Sequence, residues 1–551
     1  MNQRQFYKTG YILFVNSRQL ECNLSIYAFI LLSMVYNERQ RNLIMNQRFR
    51  SSGVDLPLFS LPGEYGIGSI GTEAKEFVDF LAKSGFSYWS RLPLNPTSFG
   101  DSPYSCYATI GLNHYFIDFN DLRDKGLLKR RDRANIDFGS DPRKIDYEKI
   151  YKSRIKLLKI AYNRFIRGKG DYQRGYISFL RKNQFTDYAC YRVLKEINKD
   201  CAWKDFKDGY NEYTSAKLKA VRRNHPQKVD FYLWTQYIFL RQWEELKKYA
   251  NSQGISIIGE RSRYANYDSV DVYRHHNCFE LNDELGRDSV CGYPPDIFHD
   301  KGQAWGNPIY DFAHLERHNY GFFKTRLDFL STLYDYVRLD HFRGYFETYV
   351  LKNGSVDGRN GTWVKYPKKD RIIKFVSHPE RIIAEDVDGC TKDRQDTIDA
   401  LNLKDRRVLE IALEGKNLNR NRPQNYSYST ISYSSTHDCK PLKGFLDDLD
   451  EKELIETEKT IASLSRHFGV TYTSTRTRKD DVKALLELNL ASISSIAIQS
   501  RQDLLCQGNE SRINTPGTVG HNWQYRITKE DLSDEFSSYL YQMNKKYGRC
   551  D

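Results

Sequence analysis

The chain has few of the features that assign a protein to a specialised class on sight. Its ten cysteines are spread from Cys22 to Cys550 with no C-x-x-C pair and no Cys/His cluster at zinc spacing. That excludes a disulfide scaffold and a structural zinc module, and it points to a reduced, cytoplasmic chain. The uncharged run from Cys22 to Asn37, flanked by Glu21 and Glu38, falls short of the roughly 20 apolar residues of an ordinary membrane span, so no membrane partner is expected. No P-loop is present, and no G-x-G-x-x-G is expected to open a helix after a strand, which disfavours a nucleotide fold. Lys plus Arg exceed Asp plus Glu, 84 to 71, for a formal charge of +13. No basic block with interleaved aromatics accompanies that excess, so a solvated basic surface is expected and not a nucleic-acid partner.

What remains describes a large globular enzyme. The chain has 551 residues, 40% hydrophobic and 28% charged, enough for one large barrel with insertions. Aromatic residues make up 14%, including 40 Tyr and 7 Trp. Most will be core, but aromatic faces also suit sugar rings. Residues 1–44 read as an N-terminal extension outside the fold, of the kind that a start site placed too far upstream produces; a membrane-surface anchor and an added helix are the other readings. A compact domain begins at Met45 and runs to 551.

Within it, a helix with Thr72 as expected N-cap carries Ala74, Phe77, Val78 and Leu81 on one face and stops at Gly85. The strand-like FSYWSRLPL (86–94) follows. A mainly helical insertion is expected at about 119–228, rich in Lys, Arg and Tyr. A helix ending at Gly254 then feeds a β-branched strand at 255–259, and a helix at about 316–333 feeds YVRLDHFRG. Further strands are expected at RIIAED (381–386), VLEIAL (408–413), YSTISYSSTHD (428–438) and ASISSIAI (491–498). Short strands alternating with helices, at this number, predict an α/β fold: a closed (β/α)8 TIM barrel.

Catalytic groups of such barrels sit at the C-terminal ends of strands. Three of those ends carry a carboxylate in an apolar or aromatic setting: Asp340, Glu385 and Asp438. Three acids at one mouth suit glycosyl transfer, in which one attacks, one protonates the leaving oxygen and one holds sugar hydroxyls. Strand alternation puts Arg338 on the face of Asp340, where its charge should keep that acid ionised. A metal site is the other use of clustered Asp and His, but the spacings do not point to one, and no cofactor is expected.

At these residues the chain resembles the amylomaltase or disproportionating-enzyme family, 4-alpha-glucanotransferases of glycoside hydrolase family 77. The motifs occur in family order from about Ser51 to Ile527: SLPGEYGIG, LPLNPTSFGDSPY, YDSVDVY, GYPPDIFHDKGQAWGNPIYDF, VRLDHFRGY, IIAED, STHD and QDLLCQGNESRINTPGTVGHNWQYRI. The resemblance implies a barrel of the α-amylase type with helical insertions. It also implies Asp340 as nucleophile, Glu385 as general acid/base and Asp438 as the transition-state carboxylate, supported by Arg338, His341 and His437. Tyr104 and Trp305 would line the sites for maltooligosaccharides and α-1,4-glucans, with Phe298 and Trp305 in a lid over the acceptor. An α-glucan hydrolase and a catalytically impaired glucan-binding protein are the alternatives. The first turns on how far loop closure keeps water from the intermediate; the motive for the second lies in the departures. Glu260 stands where the family has an active-site Asp, Arg91 and Arg263 occupy positions that the family keeps apolar, Cys439 and Lys440 replace Asn and Asp, and Ile297 replaces a loop tyrosine. Buried arginines of this kind must find acidic partners or weaken the barrel.

Overall fold

The computed structural model describes residues 50–98, 100–168, 171–296, 299–366, 371–385, 391–413, 419–473 and 477–551. The extension expected at 1–44, together with Ile297 and Phe298, lies outside the described residues.

Eight parallel strands close into a barrel: β1 (Ser51–Asp55), β2 (Tyr88–Ser90), β3 (Ser256–Arg261), β4 (Tyr336–Leu339), β5 (Ile382–Ala384), β6 (Lys404–Val408), β7 (Thr430–Tyr433) and β8 (Ile496–Ser500). Each pairs with its neighbours in the chain, and β1 closes on β8. Helices cover the outside. The expected helix α1 spans Thr72–Lys83, with Gly71 as N-cap, and Ala74, Phe77, Val78 and Leu81 all buried. Phe77, Val78 and Leu81 each contribute about 1.5–3 kcal/mol, and Phe77 meets Trp89 of β2 edge-on at 5.1 Å. Gly85 then turns the chain at φ +74°, a left-handed conformation that glycine adopts without strain.

Contrary to expectation, one G-x-G-x-x-G spacing, Gly66 to Gly71, does lead into α1. It is closed to a phosphate, because a Cβ at Gly71 would meet the Asp118 carboxyl at 2.4 Å. The insertion is helical as expected, with helices at Phe119–Asp124, Tyr147–Phe165, Asp171–Arg181, Thr186–Ile197 and Ser215–Asn224. The helix expected at 316–333 is divided into Phe312–Arg317 and Gly321–Leu333, because Asn319 and Tyr320 both take positive φ. The strand expected at 408–413 is displaced. The strand is Lys404–Val408, and Leu409–Ala412 form a helical turn.

A separate antiparallel sheet rises from the loops after β3 and β4, in the order 303–304, 289–293, 347–352, 362–365. Its Tyr293, Gln303 and Ala304 line the cleft at the mouth of the barrel. Among the described residues no helix is long and apolar enough to cross a membrane.

The barrel interior is stratified. Ile258, Ile383, Val408, Ile431, Tyr433, Ile496 and Ile498 form one cluster with Tyr88 and Tyr336 packed against it. Two residues further along their strands, on the same inward face, Ile258, Tyr336 and Ile383 are followed by Glu260, Arg338 and Glu385. The apolar layer closes the barrel below, and the charged layer forms the floor of the mouth.

Arg91 and Arg263 are buried without acidic partners. Arg91 lies between the rings of Trp243 and Tyr334, at 4.3 and 4.9 Å. Arg263 is ringed by Tyr264, Tyr310, Phe312, Phe323 and Tyr345 at 4.2–5.7 Å and donates to the Gly344 carbonyl. Aromatic faces stand where the acids were expected. The other replacements are accommodated locally: Cys439 joins the inner apolar cluster and Lys440 pairs with Asp448 at 2.6 Å.

Candidate active site

A cleft of about 450 Å³ opens at the C-terminal mouth, lined by Tyr104, Trp305, Asp340, His341, Glu385, Arg406, Asp438, Asn514 and Trp523 among others. The three carboxylates read from the sequence therefore meet on one cavity. Glu260, Arg338 and His437 are not among its lining residues; they lie behind it, nearly inaccessible.

The register of the barrel explains their pairing. Glu260 of β3 is the direct neighbour of Arg338 on β4, and the two form an ion pair with both side chains at least nine-tenths buried. Tyr104 ties this pair to the opposite wall. Its hydroxyl donates to Glu260 Oε1 at 2.7 Å, accepts from Arg338 Nη2 at 3.3 Å and lies 2.9 Å from His437 Nε2. Its ring packs against the His437 ring at 5.4 Å. Glu260 therefore serves as a buried anchor for Arg338 and Tyr104.

Asp340 follows β4 directly, and His341 then turns the chain through a left-handed conformation, φ 44° and ψ 59°. A histidine there is strained by about 1–2 kcal/mol. The turn aims its backbone N–H at Glu385 Oε2, where it donates a hydrogen bond. Arg406 Nη2 donates to the other Glu385 oxygen. Asp438 accepts from Asn514 Nδ2 at 2.6 Å and faces His437 Nε2 at 3.2 Å.

These surroundings divide the acids. Asp340 holds its proton well above the usual carboxylate range, through burial first and then through Glu260 and Glu385. Arg338 acts on it in the expected direction but is outweighed by burial and the two carboxylates, so the expectation that Arg338 keeps Asp340 ionised is corrected. Burial also works against ionisation of Glu385, but Arg406, Arg338 and the His341 N–H overcome it and lower its value. Asp438 is lowered too: burial opposes this, and His437 and Asn514 prevail. His437 is raised by Asp438 against its own burial, whereas burial pushes His341 down to about 3 and keeps it neutral.

Trp305 stands at the rim, its ring edge-on to His341 at 5.2 Å and near Tyr293 at 6.0 Å, its indole N–H bonded to Gln303. It lies beside the hairpin formed by Ser289–Tyr293 and Gln303–Ala304. The expected lid thus has a described frame, while its Phe298 is outside the described residues. Among the described residues no group of three metal-ligating side chains occurs.

Sequence reasoning missed Arg406 and Asn514. Arg406 sits inside the strand that was placed too late, in a charged stretch, KDRRV, that reads as a loop. Asn514 lies inside a quoted motif, but nothing in its spacing signals a contact with Asp438.

Comparison with known proteins gives the family and the fold. A family model described as 4-alpha-glucanotransferase matches residues 56–532. A 4-alpha-glucanotransferase of Clostridium butyricum is 33% identical over 497 residues, 89% of this chain and 99% of that protein. One of Aquifex aeolicus is 34% identical over 507 residues, 91% of this chain and 99% of its own length. The structure of an amylomaltase from Streptococcus agalactiae in complex with acarbose superposes with a TM-score of 0.84 at 30% identity, covering 91% of this chain and all of that one.

Proposed function

The chain belongs to the 4-alpha-glucanotransferase family, glycoside hydrolase family 77, and from that membership we propose that it moves α-1,4-glucan segments between maltodextrins by a retaining double displacement. It is a transferase acting on α-1,4-glucans. In the proposed first step Asp340 attacks the anomeric carbon while Glu385 gives its proton to the departing glycosidic oxygen. A covalent β-glycosyl enzyme and a shortened glucan result. In the second step Glu385 takes the proton from the 4-hydroxyl of an incoming glucan, which attacks the same carbon and releases Asp340. Two inversions restore the α-linkage. Asp438 receives sugar hydroxyls as positive charge develops.

The observation that carries this reading is the convergence of Asp340, Glu385 and Asp438 on a single cleft, from strand ends dozens of residues apart. Trp305 and the hairpin beside it favour transfer over hydrolysis by offering an aromatic seat for an acceptor and shielding the intermediate from water. Glu260, the departure that motivated an impaired binding protein, is fully engaged with Arg338 and Tyr104 and leaves the three acids in place. The acarbose complex of the Streptococcus agalactiae amylomaltase supports maltooligosaccharides as ligands here. The eight described cysteines are free thiols, which supports a cytoplasmic enzyme.

The test is incubation of the full chain with maltotriose. Transfer yields glucose and a ladder of longer maltodextrins, and Asp340→Asn abolishes both. Shortening alone would replace transferase by hydrolase, and an active Asp340→Asn would remove the mechanism.

A further inference from the structure

Glu385 is gripped at both oxygens. The register that pairs Ala384 with Asp405 continues to set Glu385 beside Arg406 on the adjoining strand. Arg406 donates to Oε1 and the His341 N–H to Oε2. The Arg406 side chain is only 6% exposed yet lines the cleft, and its Nε is buried with no hydrogen-bond partner. Two donors aimed at two oxygens satisfy a carboxylate. A carboxylic acid, neutral and with one oxygen turned donor, accepts more weakly and forfeits the ion pair with Arg406. The first chemical step, however, needs the proton on Glu385.

We propose that Arg406 is a positioning residue that holds Glu385 as an ion-paired carboxylate, so that an entering glucan must part the two before Glu385 can serve as the acid. This rests on the reading of Glu385 as the acid/base. The other charged groups facing the pair do not provide the same restraint. Arg338 on β4 is engaged by Glu260 of β3, and His341 is neutral. Arg263 is enclosed by aromatic rings. Arg343 and Arg394 lie beside Glu347, at 2.7 and 3.6 Å. On the far wall Asp438 is paired with His437. Arg406 is the cation in contact. Burial, Glu260 and Glu385 raise Asp340, whereas Arg406 leads the groups that lower Glu385 against its burial, so the arrangement with the proton on Glu385 is the disfavoured one, and the more so the further Arg406 separates the two acids.

The experiment is kcat/KM against pH for transfer from maltotriose, using the full chain with Arg406→Met, Arg406→Gln and Arg406→Lys. Both neutral variants should raise kcat/KM at the optimum roughly tenfold and move the acidic limb, which reports the stronger acid of the pair, up by about one pH unit. Arg406→Lys should restore the original profile. Neutral variants that lose activity with unmoved limbs would overturn the proposal and leave Arg406 a packing or substrate-holding group. Glu385→Gln is the control. If it abolishes transfer, the acid/base reading stands whatever Arg406 does; if it stays active, that reading fails and the role of Arg406 fails with it.

Discussion

Replacing Tyr104 by Phe removes one oxygen and leaves the ring that lines the cleft. That oxygen serves Glu260 Oε1 at 2.7 Å, His437 Nε2 at 2.9 Å and Arg338 Nη2 at 3.3 Å. Each partner keeps one other contact: Glu260 and Arg338 keep each other, and His437 keeps Asp438. The fold should therefore survive, while the link between the Arg338 side and the Asp438 side of the mouth is lost. Burial, and next the Glu260 carboxylate, hold the Tyr104 phenol far above its ordinary value, so it is a neutral donor at any assay pH. A hydrogen bond to a charged group is worth about 1.5–3 kcal/mol. If one such bond steadies the acids in the transition state, kcat should fall by roughly 10- to 150-fold. The ring still faces the sugar, so KM should change by less than about threefold, whereas Tyr104→Ala should raise KM as well. Steady-state glucose release from maltotriose separates these outcomes. A Tyr104→Phe enzyme with kcat within about twofold of the parent, or a loss confined to KM, would refute the idea that the hydroxyl organises the catalytic layer.

Three further substitutions test the scaffold. Arg91→Met removes a buried cation whose nitrogens have no hydrogen-bond partner and keeps a flexible chain between Trp243 and Tyr334; two ring contacts worth about 0.5–2 kcal/mol each should not offset the desolvation relieved. The midpoint of denaturant unfolding should rise, and a loss of about 1 kcal/mol or more would contradict this account. At Gly259 a Cβ would lie 2.1–2.3 Å from ring carbons of the buried Tyr334, so Gly259→Ala should destabilise by about 1–3 kcal/mol in the same assay. Asp271 forms a buried ion pair with Arg326 and accepts two hydrogen bonds from Thr109 at 2.7 Å. Burial opposes ionisation there, but Arg326 and then Thr109 hold the folded value below the ordinary one. Its contribution is therefore complete above about pH 4 and fades as pH falls through the lower folded value. Asp271→Asn should cost about 3–5 kcal/mol at neutral pH, and the difference from the parent should shrink in acid; a difference that grows in acid would refute the assignment.

The barrel was legible where its strands are apolar and illegible where they are not. ISIIG, RIIA and SSIAI announce themselves by β-branched residues. SSGVD of β1 is too short and polar to do so. KDRRV of β6 places charge on the inward face, which reverses the alternation that marks a half-buried strand, so the apolar VLEIAL beside it was taken instead. That failure falls on the layer where function resides, as expected when local rules give way at a site. Asp340 and Glu385 were found because each ends a recognisable strand, and Asp438 through the expected strand at 428–438, which in fact stops at Tyr433 and leaves Asp438 in the loop beyond. Their protonation was not, because it is decided sideways. Arg338 lies two residues from Asp340 along the chain, yet its ion pair is with Glu260, its neighbour across the register. The cation on Glu385 likewise comes from β6. Spacing along one strand tells which side chains share a face, but in a closed ring the stronger neighbour is the one about 5 Å away on the next strand. The electrostatic role of a residue in this mouth therefore has to be judged from the strand beside it, and a change at Arg406 should alter the behaviour of Glu385 more than any change within β5 itself.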